Sequence, residues 1–469
     1  MSPHIIVADS QNRASLQHQP KTMKKIIYTT VIILFVTVIG FVVYKYKANV
    51  QKEKTVLFEL KKRNGSLANS DEWHLVQKKA DEFKKALSTD PTDTKALIGM
   101  ASLFIQEARI TGDYMYYDKA AMNYTNRVLS IDSSNFEAMC FKSMLYLSQH
   151  HFADGLNWAQ KAQQKNPYSA FIYGMLVDGN VEMGNYDAAV NSADSMISMR
   201  PDIRSYSRVS YLREIYDDYK GAIDAMKMAV DAGAPGDEST EWARVQLGHL
   251  YEQAGDIANA EMNYTIAINN RPSYAYAMAG MARIAAAKKD FTKAVDLYKQ
   301  ASALVNDYSI KEELVELYIQ QNEKEKAAVL NKEIIDRLSS DAASANNNDA
   351  IGHYADRELA YAYLNDNNID KALEHALLEY NRRPGNIDVN EMLAWVYYKK
   401  GDYSKATEYM KVAMKTNSKN PVRLCRAGLI YAKANDKLMA KNYISEALKN
   451  NPNINETLKS ESEVVLKSL

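Results

Sequence analysis

The chain has 469 residues with Lys+Arg and Asp+Glu equal at 58 each, so no global field draws it to nucleic acid or to an acidic surface. Glycine and proline are scarce at 18 and 10, which disfavours a β-rich or disordered chain, whereas tyrosine reaches 32. Cys140 and Cys425 are the only cysteines; two thiols so far apart make neither a disulfide framework nor a zinc site, and are expected to fill small packing positions.

In chain order, residues 1–22 are polar, lack a period, and read as a disordered tail. Residues 26–44 run without a charge, bracketed by Lys24-Lys25 on one side and Lys45 and Lys47 on the other. At 1.5 Å per residue the run spans roughly 28 Å, the thickness of a bilayer's hydrocarbon. It is apolar on every face and flanked by lysines and tyrosines, so a transmembrane helix is expected over 26–44. Met23-Lys24-Lys25 looks like a signal-peptide start and offers a second initiator. Yet the apolar run is longer than a usual signal core and no small-x-small site precedes Lys45, which favours an uncleaved single-pass anchor. Orientation has two readings. The basic residues after the segment outnumber those before it, which would keep the large domain cytoplasmic; a short MKK start and the ease with which large domains translocate argue for export. The expectation is a bacterial inner membrane protein with its large domain in the periplasm, the bacterial origin resting on a composition rich in asparagine, lysine and tyrosine.

Residues 45–71 read as a juxtamembrane linker, helical over 48–63 and broken at Asn64-Gly65-Ser66. One helix is expected over 72–90. Beyond it alanine recurs at one phase, as Ala121, Ala189, Ala222, Ala260, Ala294, Ala327, Ala372, Ala406 and Ala440, and again as Ala162, Ala229, Ala267, Ala301, Ala413 and Ala447. Pro167 and Pro201 stand one repeat apart, and Pro384 and Pro452 two. These coincidences divide the chain into ten helical pairs: 94–133, 136–167, 170–201, 203–235, 241–272, 275–306, 308–341, 353–384, 387–418 and 421–452. The first pair carries about eight extra residues near 111–117, assigned to the loop between its helices. Gly155 stands where alanine is usual. A polar loop at 342–352, overlapping the polar run 339–350, divides a first block (72–341) from a second (353–452), and 453–469 reads as a capping helix that covers the last apolar face.

The clearest pair, residues 241–272, has Leu247-Gly248-x2-Tyr251 on its first helix, Ala260-x3-Tyr264 on its second, and Pro272 at its end. This resembles a tetratricopeptide repeat, whose pattern runs W-x2-L-G-x2-Y, A-x3-F, P; the family's tryptophan is out of place, since Trp242 lies two residues early. The resemblance implies an all-α fold, a right-handed α-solenoid of tandem helix-turn-helix units, here preceded by one transmembrane helix. It further implies a concave groove lined by the first helices, which holds a protein or peptide partner. Carried onto this chain, the groove positions are Trp242 and His249; Tyr276 and Arg283; Tyr354, Arg357 and Tyr361; and Glu391, Trp395, Tyr398 and Lys399. The Lys/Asn/Arg series with which some members grip a terminal carboxylate is missing at matching positions.

No phosphate-binding, dinucleotide or zinc-protease motif occurs, so no catalytic residue, cofactor or metal is expected. His150-His151 falls at a turn between helices and is expected to face solvent. The glycosylation-like triplets at Asn123 and Asn263 fall on second helices, where the match is accidental. Sequence therefore points to a non-enzymatic, membrane-anchored scaffold that binds a protein or peptide in its groove, and no nucleic acid, in a setting such as cell-envelope assembly. The alternative is a polysaccharide-binding or substrate-platform subunit of a cell-surface enzyme system.

Overall fold

The computed structural model describes residues 20–53, 57–347, 352–451 and 454–469. Two units separate, Met1–Phe58 and Glu59–Leu469. The first contains α1 (Pro20–Glu53), whose stretch Tyr28–Lys45 is long and apolar enough to cross a membrane. The side chains of Tyr28–Lys45 are exposed, and Thr37 donates its hydroxyl to the Ile33 carbonyl at 2.7 Å, so this polar group is satisfied inside the helix. Of the tail expected over 1–22, residues 1–19 lie outside the described residues, and 20–22 belong to α1.

The second unit begins with a segment free of regular secondary structure over 59–64, a short 3-10 turn at Gly65–Asn69, and α2 (Asp71–Thr89). Ten helical hairpins follow. They pair α3 (Thr94–Thr111) with α4 (Tyr114–Ile131), α5 (Phe136–Ser148) with α6 (Phe152–Lys165), and α7 (Ala170–Glu182) with α8 (Tyr186–Met199). Next come α9 (Ile203–Ile215) with α10 (Tyr219–Asp231), α11 (Glu238–Gln253) with α12 (Ile257–Asn270), and α13 (Ala275–Ala287) with α14 (Phe291–Leu304). The last four are α15 (Tyr308–Gln320) with α16 (Lys324–Asn347), α17 (Asp356–Asn365) with α18 (Ile369–Arg382), α19 (Ile387–Lys400) with α20 (Tyr403–Ala413), and α21 (Pro421–Lys433) with α22 (Lys437–Asn450). Helix α23 (Glu456–Ser468) closes the array, and no strand occurs among the described residues.

Each hairpin turn has a local cause. A residue in the left-handed region follows the first helix of every hairpin, and in eight of the ten an Asp or Asn precedes the second, with His151 and Glu323 in that place in the other two: Gly255 (φ 78) precedes Asp256, and Gly401 (φ 86) precedes Asp402. Both caps accept a backbone N–H from three residues on, at 3.1 Å. The two phases of alanine are where helices cross. All are fully buried except Ala327, which keeps a trace of exposure. Gly155 replaces alanine because a Cβ there would meet the Leu147 side chain at 2.7 Å. Tyr264 shows how units lock. Its ring lies over Gly248 of its own unit and Gly280 of the next, where a Cβ would approach it to 2.5 and 2.6 Å.

Three sequence expectations are corrected by packing. The extra residues of the first unit lengthen both of its helices to 18 residues, where 13 or 14 are usual, and only two residues join them. The helix expected over 48–63 ends at Glu53, and residues 59–63 are not helical because their partners are on α3 and α4. Tyr117 donates its hydroxyl to the Lys61 carbonyl at 3.2 Å and accepts the Lys61 N–H at 3.0 Å, while Arg63 reaches Glu107. The polar stretch from 342 is helical as far as Asn347, and one core runs past it, joining Ala327, Ile334 and Leu338 to Ala355 and Leu359. The two blocks therefore share a continuous interior. Cys140 and Cys425 are buried and free, and burial pushes the Cys140 thiol up to about 12, in keeping with a packing role.

Successive turns of the superhelix touch. Hydrogen bonds and ion pairs join residues 199 to 207 positions apart, close to six repeats of about 34 residues. The Asn306 N–H donates to the Thr111 carbonyl at 2.7 Å, and the Tyr354 N–H to Gln149 at 3.1 Å. Ile387 N–H donates to the Tyr186 hydroxyl at 2.9 Å, Lys419 pairs with Asp217 at 2.7 Å, and Asn451 bonds the Glu252 carbonyl at 3.1 Å. In every case the turn inside an early unit docks on the junction between two units of the next superhelical turn. The inner face of the first helices is thereby enclosed.

Candidate binding lumen

Three cavities of 670, 700 and 1290 Å³ lie along this inner face. They share walls: Glu316, Arg357, Tyr361 and Arg426 line the first two, and Tyr211, Glu214 and His249 line the first and third. The lumen is built from charged groups on the first helices, one turn above another.

Arg283 on α13 bridges Glu252 at 3.0 Å and Glu313 at 2.9 Å, and donates to the Tyr264 hydroxyl at 3.1 Å. Arg423 and Arg426 on α21 both grip Glu391 of α19, at 2.7 and 2.9 Å. Burial works against the Glu391 charge, but the two guanidinium groups hold its carboxyl below its usual value. Arg426 also donates to the Tyr361 hydroxyl at 3.2 Å. Burial and the nearby Arg283 push the His249 imidazole below its usual value, and its Nε2 lies 2.7 Å from Gln253 Nε2.

Other polar groups are left over. Arg357 Nε and Glu312 Oε1 are buried without a hydrogen-bond partner. Burial raises the Glu312 carboxyl to about 8, and neighbouring Glu358 adds to it. Burial likewise raises Glu214 and Asp118 to about 7. These groups face a space where water or a polar ligand must supply what the protein does not.

Asp118 gives a pH test. It is 3% exposed and bonds only Ser148, at 2.6 Å. Its folded value, about 7, lies above the ordinary 3.8. The stability it contributes is thus fully present below pH 3.8 and lost as pH rises through 7. Asp118→Asn is expected to match the parent near pH 4 and to exceed it at pH 8 by on the order of 2–4 kcal/mol. Chemical unfolding of both proteins across that range checks this; a difference that does not change with pH would refute it.

Of the residues expected in the groove, His249, Arg283, Arg357, Tyr361 and Glu391 come together on the wall of the 670 Å³ cavity. Trp242 lines the 1290 Å³ cavity. The others are engaged elsewhere. Tyr276 donates to Asp307 at 3.1 Å, and Tyr354 stacks on His151 in the contact between superhelical turns. Trp395 and Tyr398 stack on each other, with Lys399 over the tryptophan ring, and the Tyr398 hydroxyl donates to Glu461 of α23 at 2.8 Å. Sequence reading missed Tyr211, Glu214, Glu316, Asp388, Arg423 and Arg426. The clustering of Arg and Glu one and two turns apart on α19 and α21 was a usable signal. His151, expected at the surface, is 3% exposed because the next superhelical turn covers it, with Gly352 O at 2.8 Å. Asn263 and Thr125 of the two glycosylation-like triplets are buried on α12 and α4.

Tetratricopeptide repeat family models match residues 245–309, and 387–420 with 423–454. No curated protein matches the chain. Among solved structures, a tetratricopeptide repeat protein from Parabacteroides merdae aligns at 16% identity over 52% of this chain and 91% of its own, with a TM-score of 0.40. The human IFIT1 dimer with PPP-AAAA aligns at 13% identity over 74% of this chain and 80% of its own, with a TM-score of 0.45. A thermophilic protein of the same repeat class from Thermus thermophilus aligns at 17% identity over 39% and 95%, with a TM-score of 0.34.

Proposed function

We propose that the chain is a non-enzymatic tetratricopeptide repeat scaffold, held at a membrane by α1, that takes an extended polypeptide segment of a partner into its lumen. The observation that supports this most is the lumen wall itself, where fixed Arg–Glu pairs alternate with the unpartnered Arg357 Nε and Glu312 Oε1. An extended chain presents N–H donors and carbonyl acceptors every few ångströms, and so answers both kinds of unpartnered group. A polysaccharide would instead want open aromatic faces; Trp395 and Tyr398 spend theirs on each other. The cavities exceed what one side chain fills and suit a segment several residues long.

The membrane setting follows from α1. With the large domain exported, the partner is a protein of the cell envelope, and assembly there is the process served. A reporter fused after Leu469 tests the orientation, since activity of a cytoplasm-only reporter would reverse it. The binding itself is tested by photo-crosslinking in cells from positions 249 and 361 in the lumen, against position 329 on an exposed helix face. Adducts to another protein are expected from 249 and 361 only. Equal adducts at all three positions, or none from the lumen, would remove the proposal.

A further inference from the structure

One cluster on the wall of the 700 Å³ cavity has no part in peptide binding as read above. His150 forms the turn between α5 and α6 with a left-handed backbone (φ 61), and His353 and Glu358 arrive from the start of the eighth unit. One ring nitrogen from each histidine and one Glu358 carboxylate oxygen lie within 4.8 Å of one another. The two imidazole rings are 4.1 Å apart at their centroids, and Glu358 Oε1 is 3.9 Å from His150 Nδ1. The Glu358 side chain is only 10% exposed, yet its Oε2 has no hydrogen-bond partner. A carboxylate oxygen taken out of water and given no donor is costly, so the site lacks a positive partner.

The surroundings ask for the same thing. On this cavity's wall carboxylates outnumber guanidinium groups eight to three. Asp178, Glu182 and Asp341 have arginines of their own, in Arg208, Arg383 and Arg337. Glu312, Glu316 and Glu358 make no direct ion pair with an arginine among the described residues, although Arg357 and Arg426 stand near them, and the Glu312 Oε1 is unpartnered too. Around the imidazoles stand groups of the kind that orient metal-bound histidines: the Tyr354 carbonyl 3.1 Å from His150 Nδ1, and the Tyr308 hydroxyl 3.3 Å from His353 Nε2.

We propose that His150, His353 and Glu358 bind a divalent transition-metal ion of the zinc class, which fastens the second unit to the eighth. Two imidazoles and one carboxylate suit zinc and its neighbours, whereas calcium and magnesium want oxygen alone. Ligand distances of about 2.0–2.2 Å require the three side chains to draw together by roughly 1 Å, which rotation about their own bonds supplies. Because the ligands come from successive superhelical turns, the ion acts as a clasp on the lumen.

The test uses the full chain in detergent, stripped with a chelator and titrated with Zn²⁺ by calorimetry, with metal content read by mass spectrometry. One Zn²⁺ per chain is expected, with a rise in the thermal midpoint. His353→Gln and Glu358→Gln are each expected to weaken binding at least about tenfold, while His74→Gln, on the exposed face of α2, leaves it unchanged. The metal-free midpoints of the variants separate lost ligation from lost folding. Absence of stoichiometric binding to the parent protein, undiminished binding in both ligand variants, or equal weakening by His74→Gln would overturn the proposal.

Discussion

Arg63→Ala is expected to destabilise the amino-terminal part of the array by about 3–5 kcal/mol, because it strands a buried carboxylate. Arg63 is 2% exposed and its partner Glu107 fully buried, joined by two hydrogen bonds of 2.6 and 2.9 Å. Burial opposes the Arg63 charge, but its hydrogen bonds to Glu107 and Glu72 hold its pKa above the ordinary value, while burial raises the Glu107 carboxyl. Glu72 also holds Arg271 at 2.9 Å, which ties the strap at 59–63 to the end of α12. The loss should therefore appear in α3 and α12 together, as faster amide hydrogen exchange in both. The paired change Arg63→Met with Glu107→Leu should cost far less than the single one, since it removes the stranded charge as well as its partner. If the double variant is as unstable as Arg63→Ala, the effect belongs to packing and not to charge.

Tyr264→Ala should cost a similar amount, about 3–5 kcal/mol, by opening a cavity between two units. The ring is fully buried over Gly248 and Gly280, and its hydroxyl donates to Glu252 at 2.8 Å. Tyr264→Phe keeps the ring and leaves Arg283 still paired with Glu252 and Glu313, so about 1 kcal/mol is expected. Gly280→Ala alone pushes a methyl to 2.6 Å from the ring and should cost about 1–3 kcal/mol by overpacking. Combined with Tyr264→Ala, the same methyl enters the vacated space, and its cost should vanish or reverse. Urea unfolding of the four proteins makes a double-mutant cycle. Simple additivity would show that the ring and the glycine do not share one contact.

Most of the solenoid was legible along the chain because its determinants are local or one unit away. Alanines at a fixed phase mark crossings that a larger side chain cannot enter, and a left-handed residue followed by Asp or Asn marks eight of the ten turns. Residues 241–272 carry all of these, and every one of them acts in the structure as architecture. The lumen was legible in part. His249, Arg283, Arg357, Tyr361 and Glu391 are on its wall, since the inner face of a first helix follows from helical period alone.

What sequence could not decide is how far the array turns per unit. That rotation is a sum of small packing offsets, none of them written in a single residue, and only after six units does it bring one turn onto the next. The consequence is large for particular side chains. Tyr354 and His151 stack on each other in the contact between turns, and His150 meets His353. The extra residues near 111–117 likewise carry no label saying helix or loop; the strap at 59–63, bonded to Tyr116, Tyr117 and Glu107, settles it. The chain by itself determined its helices, their pairing and the face each turns inward. The tertiary structure alone decided that this face is enclosed, because enclosure depends on contacts about 200 residues apart that no local pattern encodes.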